Sequence, residues 1–269
     1  MSILKLDTHD TLYYEHQPPV REARNTFVFF NALTGDVGMW NADVVPALNQ
    51  QGYGTLTYNL RGQANSSFSD PQSLDCDHII GDAIRLLSEI NPVKPVLVGL
   101  SIGGLFAAHA MIRGAEADGL VLINTLRRNG PRLRWINDAL VRCAEFGGLE
   151  LFRDLFCPLL FNESWQAENR PKFLVQDSYH PIDRASGIYH LLKHAADADW
   201  DLSYEHLTVP TLVLTGLQDH VFLDLDDVAA LASRIPNVER KDQPDAGHML
   251  PAECPRWLID TLVDFAGRR

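Results

Sequence analysis

Residues 96–104 read Val-Leu-Val-Gly-Leu-Ser-Ile-Gly-Gly, and this stretch constrains the chain more than any other. Its first half, entered from Pro95, is apolar and β-branched, which predicts a buried strand. Residues 105–112 are rich in Leu, Phe, Ala and Met, which predicts a buried helix. Between them stands Gly99-Leu100-Ser101-Ile102-Gly103, a G-x-S-x-G pattern. A serine on so sharp a turn is forced into a strained backbone, with its hydroxyl pointing out of the sheet. Small residues two before and two after it let strand and helix approach closely. The helix start adds free N–H groups and the positive end of a dipole, both suited to a developing oxyanion. The same five residues can form a plain turn; the strand before and the helix after favour a nucleophile.

The rest of the chain repeats that strand–helix rhythm. Residues 3–7 and 11–16 alternate and predict an edge hairpin. Residues 26–31, 119–124 and 211–215 are largely apolar runs, as strands covered on both faces must be, and 54–59 predicts another strand. Residues 238–242 predict the last strand. Helical spacing predicts helices over 40–51, 74–91, 225–235 and 256–266. The alternation implies an α/β fold with a mostly parallel sheet and right-handed crossovers. From Thr125 to about Leu202 no strand is predicted. That segment carries helix-like runs at 135–147, 149–160 and 188–196 and many aromatics, Trp165 and Trp200 among them. It reads as a helical insertion over one end of the sheet. The expected division is a core of 1–125 and 203–269 and a cap of 126–202.

A chain of 269 residues, 46% hydrophobic and 22% charged, has the make-up of an ordinary globular protein, long enough for one large domain or a core domain plus a smaller insertion. A formal charge of −12 argues against nucleic acid and anionic membranes as partners and leaves a small-molecule substrate. No apolar run approaches the roughly 20 residues a membrane helix requires. The N-terminal residues do not resemble a secretory signal. The four cysteines are scattered without a C-x-x-C pair, so free thiols and a cytoplasmic location are expected. The histidines lack metal-site spacing, so no metal and no cofactor is expected. The sequence leaves the oligomeric state open.

A serine hydroxyl needs a base, and the base an orienting carboxylate. Asp219 follows a predicted strand in Thr-Gly-Leu-Gln-Asp-His-Val, and His248 lies after the last strand in Asp-Ala-Gly-His-Met-Leu. All three residues fall at C-terminal strand ends, where open α/β sheets place ligands. Asp224, Asp226 and Asp227 compete for the acid, but they open a helix, where capping explains them. His220 is the weaker base candidate, since it precedes the last strand.

The chain order Ser101, Asp219, His248 resembles that of the α/β-hydrolase fold superfamily, in the branch with a helical cap after the sixth strand. The resemblance implies an eight-stranded sheet and a triad of these three residues. Asn59-Leu60-Arg61-Gly62 with Ser66 is similar to the family's Asp-x-Arg-Gly-x-Gly-x-Ser loop, with Asn59 for Asp and Ala64 for Gly. After the third strand, Asn31-Ala32-Leu33 stands where the family has His-Gly-x, nine residues before Trp40. By that correspondence the oxyanion donors are the backbone N–H groups of Leu33 and Ile102. Ala32 in place of Gly removes freedom for positive φ, so a different loop path is open.

The reaction expected is hydrolysis of a small, largely apolar carboxylic ester, lactone or thioester through an acyl-enzyme on Ser101. A carbon–carbon bond hydrolase with the same triad, and a receptor with slow or vestigial hydrolysis, are the alternatives. Asn31, Trp165 and Arg127 are candidate substrate contacts. Arg127 and Arg128 begin the cap, where either a carboxylate partner or a solvated pair is consistent with the sequence.

Overall fold

Strands that are apolar on both faces need a helical layer on each side, and this requirement sets the architecture. The structure is a computed structural model that describes residues 2–21 and 24–268. The strands are β1 (Ser2–Lys5), β2 (Thr11–Gln17), β3 (Thr26–Phe30), β4 (Gly54–Tyr58), β5 (Pro95–Leu100), β6 (Gly119–Ile123), β7 (Thr211–Gly216) and β8 (Val238–Gln243). They form one sheet in the order β1-β2-β4-β3-β5-β6-β7-β8. The pairs β1–β2 and β2–β4 are antiparallel. From β4 onward every pair is parallel.

The period-two alternation divides each central strand between two cores. Val28 and Phe30 face one layer with α3 (Cys76–Ile90), α4 (Ile102–Ile112) and α8 (Leu225–Ala232). Phe27 and Phe29 face the other, with α1 (Gly38–Asn41), α2 (Val44–Gln50) and α10 (Pro255–Gly267). In α4 every residue from Ile102 to Ala110 is buried, so it has no solvent stripe and none of the amphipathic pattern of a surface helix.

The helix expected over 40–51 is two shorter ones, α1 and α2, interrupted at Ala42–Asp43, with Trp40 and Leu48 both reaching the same core. The helix expected over 74–91 begins later, at Cys76. A 3₁₀ turn at Pro71–Leu74 precedes it, and Asp75 caps it by accepting from the His78 N–H.

Between β6 and β7 the described residues form α5 (Pro131–Leu160), α6 (Glu163–Asn169), α7 (Gly187–Ala195) and 3₁₀ turns, with no strand. Gly148, at φ 69, breaks α5 inside its span, which is why the periodicity reads as two helices on either side of it. The helix α6 was not expected; it has no buried residue, so no apolar stripe marks it, and its one signal is Asn162, whose side chain caps it. No helix among the described residues is long and apolar enough to cross a membrane.

The site is placed by topology. After β3 the chain moves outward to β4, then returns to β5 on the other side of β3. The connections beyond β3 and β5 therefore part in opposite directions, and the crevice lies outside their C-terminal ends. The loop after β3 carries Leu33, and the first residue after β5 is Ser101.

Candidate active site

Ser101 sits between β5 and α4 at φ 58 and ψ −125, a left-handed conformation that costs a non-glycine residue about 1–3 kcal/mol. The surrounding packing imposes it. A Cβ at Gly99 would strike the backbone of Gly103 and Gly104, and one at Gly103 would strike the carbonyls of Phe30 and Asn31. The Ser101 N–H donates to the Ile123 carbonyl at 2.8 Å, fixing the turn to β6.

His248 and Asp219 come from the loops after β8 and β7. Both are buried, with Nδ1 of His248 2.6 Å from Oδ2 of Asp219. The other Asp219 oxygen accepts from the Val221 and Phe222 N–H groups, each at 3.0 Å. Burial pushes the Asp219 carboxyl up, but the His248 ring, the Phe222 N–H and Arg127 outweigh it and hold it below the usual carboxylate range. The competing acids are placed as their positions predict: Asp224 caps α8, accepting from the Asp226 and Asp227 N–H groups. His220 is exposed.

Two residues that the sequence did not single out hold the His248 loop. Glu253 accepts from the N–H groups of Gly247 and Met249, each at 2.8 Å. Asn124, at φ 47, donates to the carbonyls of Gly247 and His248 and accepts from the Gly216 N–H. A polar residue closing an otherwise apolar strand run was the available signal for Asn124.

The loop after β3 corrects one expectation. Asn31 is fully buried and away from the cleft. Its Oδ1 accepts from Trp40 Nε1 at 2.9 Å, and its Nδ2 donates to the Tyr58 carbonyl at 2.8 Å and to Gln63 Oε1 at 3.2 Å. It is a structural tie, not a substrate contact. Ala32 is absent from the positive-φ residues, so this loop path needs no glycine there.

Gln63, which the sequence did not flag, completes the tie. Its Nε2 donates to the carbonyls of both Ala32 and Leu33 at 2.9 Å, while its Oε1 also accepts from the Leu60 N–H at 2.9 Å. Arg61 anchors the same segment through a bidentate contact to Asp82 and a third bond to Asp10. Leu33, with its carbonyl held in this way, lines the cleft beside Ile102. Among the described residues neither N–H donates to a protein acceptor.

Arg127 and Arg128 part company. Arg128 is exposed and pairs with Asp227 at 3.4 Å. Arg127 is buried, with Nη2 donating to Ser101 Oγ at 2.7 Å and to the Asn124 carbonyl at 3.0 Å. Its guanidinium lies 3.9 Å from the Phe222 ring centroid and 5.0 Å from that of Trp200. Burial pulls its pKa down to about 10, against the opposing pull of Asp219. Among the described residues Arg127 is the hydrogen-bond partner of the Ser101 hydroxyl, and Nε2 of His248 is unbonded in the same cleft.

That cleft has a volume of about 230 Å³. Leu33, Ser101, Ile102, Arg127 and His248 line its floor. Leu140, Phe152, Leu192 and Trp200 bring apolar surface from the helical segment above. Trp165 is not among its walls. It stacks on Phe161 with centroids 3.7 Å apart and packs against Phe173, so its aromatic surface is spent inside the helical segment. Among the described residues no three His, Cys, Asp or Glu side chains cluster as a metal site would require.

An eight-stranded, mostly parallel sheet with a strained serine after its central strand, in one cleft with the histidine of a buried Asp–His pair, defines the α/β-hydrolase class. The chain belongs to that family: residues 25–254 match the alpha/beta hydrolase fold. Among curated relatives it is similar to a protein named as a carbamate hydrolase, RutD, of Pantoea ananatis, with 24% identity over 96% of this chain and 94% of the relative. It is also similar to 3-oxoadipate enol-lactonase 2 of Acinetobacter baylyi, with 26% identity over 74% of this chain and 73% of the relative. Among solved structures, MGS-M2, an alpha/beta hydrolase from a Medee basin deep-sea metagenome library, superposes with a TM-score of 0.83 at 18% identity. That match covers 100% of this chain and 98% of the other.

Proposed function

We propose that this enzyme hydrolyses small carboxylic esters, cyclic esters included, through an acyl-enzyme on Ser101. The observation that carries the reading is a serine held at φ 58 in one cleft with a His248 whose Nδ1 is engaged by ionised Asp219 and whose Nε2 has no bond among the described residues. Nε2 of His248 takes the Ser101 proton as Oγ attacks the carbonyl carbon. The Leu33 and Ile102 N–H groups receive the oxyanion. Collapse expels the alkoxide, which leaves as an alcohol with the proton from His248. Water then attacks the acyl carbon, giving its proton to His248 and restoring Ser101. In this sequence Arg127 releases Oγ before His248 can accept its proton.

The helical segment 126–202 is the cap of this reading, and its apolar side chains size the acyl pocket. A curated relative named for an enol-lactonase supports ester-type chemistry, since a lactone is a cyclic ester. Four free cysteines support a reducing compartment such as the cytoplasm.

Turnover of p-nitrophenyl esters of increasing acyl length, with Ser101→Ala beside the wild type, tests the reading. Sustained turnover is expected, falling by about a thousandfold or more in the variant. Equal turnover in the two proteins would overturn it.

A further inference from the structure

The Arg127 guanidinium is a buried cation without an anionic partner. Among the described residues no carboxylate lies within ion-pair distance of it. Asp219, the carboxylate whose charge acts on it, has both oxygens committed, to His248 and to the Val221 and Phe222 N–H groups. Nη2 is satisfied by Ser101 and Asn124, but Nε is buried with no acceptor among the described residues. Leaving a charged donor buried and unpaired is costly, and a molecule retains such a group where something arrives to pair with it.

The shape of the vacancy selects the partner. The Phe222 and Trp200 rings pack over the guanidinium at 3.9 and 5.0 Å, and its N–H donors all point outward in its own plane, so a ligand meets them along an edge. A planar acceptor with two oxygens fits an edge of that kind, as carboxylates do in fork-to-fork pairs. On the side toward Asp219 the protein leaves a void of about 10 Å³, room for about one water molecule and too small for a carboxylate. The ligand must come from the cleft of about 230 Å³. Because Nη2 is already 2.7 Å from the nucleophilic oxygen, a carboxylate on the same guanidinium sits a short chain away from the carbonyl under attack.

We propose that Arg127 is the carboxylate-binding residue of this cleft, and that the substrate is a small ester or lactone carrying a free carboxylate near its scissile carbonyl. The proposal rests on Ser101 being the nucleophile. Docking of the carboxylate also draws Nη2 away from Oγ, which frees the hydroxyl for His248. The apolar walls then take the few carbons between the two functional groups.

Two esters of matched shape test it: p-nitrophenyl hydrogen glutarate, which is anionic, and its neutral terminal amide. The wild type should prefer the anion by about tenfold or more in kcat/KM, through KM as the carboxylate binds and through kcat as Oγ is freed. Arg127→Met should bring the ratio near one, and Arg127→Lys should keep part of it, as a point charge without the fork. Glutarate should compete with the neutral ester in the wild type and glutaramide should not, an arm that needs no folded variant. Absence of both preference and competition overturns the proposal. So does an equal loss on both esters in Arg127→Met, which would place the arginine at the reacting atoms alone. Failure of the nucleophile reading looks different: Ser101→Ala would hydrolyse both esters at the wild-type rate, while glutarate still bound it in calorimetry.

Discussion

At Gln63 one side chain governs a loop it does not belong to. Its amide nitrogen holds the carbonyls of Ala32 and Leu33, so the peptide planes that aim the Leu33 N–H are fixed from behind. Gln63→Met keeps the volume and removes those bonds. On the proposed mechanism it should lower kcat by about tenfold while KM changes little, because a displaced oxyanion donor is felt most in the transition state. A parallel rise in KM in steady-state assays would assign Gln63 to packing instead. Asn31 teaches the complementary lesson. Its position matches the histidine of the family's His-Gly-x, yet its amide is spent on Trp40, Tyr58 and Gln63. Chain position was legible in the sequence. The direction of the side chain was not, since it depends on Gln63, thirty-two residues away.

At the scale of elements, the elbow and α3 give opposite answers to the same substitution. Gly103 of α4 faces the Phe30 and Asn31 carbonyls at the end of β3, and a methyl group there has nowhere to go. Gly103→Ala should destabilise the fold by several kcal/mol or prevent soluble expression. Gly81, mid-helix and exposed in α3, has nothing within 4 Å of its missing Cβ. Gly81→Ala should stabilise by about 0.5–1 kcal/mol, through helix propensity and a less free unfolded chain. Chemical denaturation of both variants checks the pair. The strands were the most legible elements, because burial on both faces leaves an unbroken apolar run such as that of β6. The helical segment was least legible. Its helices were visible, but which aromatics face Ser101 is decided by docking, and so Trp200 lines the cleft while Trp165 stacks on Phe161.

Over the whole molecule, the chain order of Ser101, Asp219 and His248 was enough to anticipate where the sheet brings them, since each follows a strand at the same edge. Arg127 was legible only as a candidate, for burial and partnerlessness are tertiary facts. Set against the rest of the chain it is an inversion of sign: a buried cation with no ion-pair partner among the described residues, within a protein of formal charge −12. If the proposed anionic substrate is correct, the surface opposes its arrival while the cleft floor holds it. Dissolved salt acts unequally on these two forces. Mobile ions damp repulsion beyond a Debye length of about 8–10 Å, but they do not enter a buried contact. Raising ionic strength should therefore increase kcat/KM for the anionic glutarate ester and leave its neutral amide unchanged, as a salt titration of initial rates would record. Most enzymes that use charge to gather their substrates slow down in brine; this one should speed up.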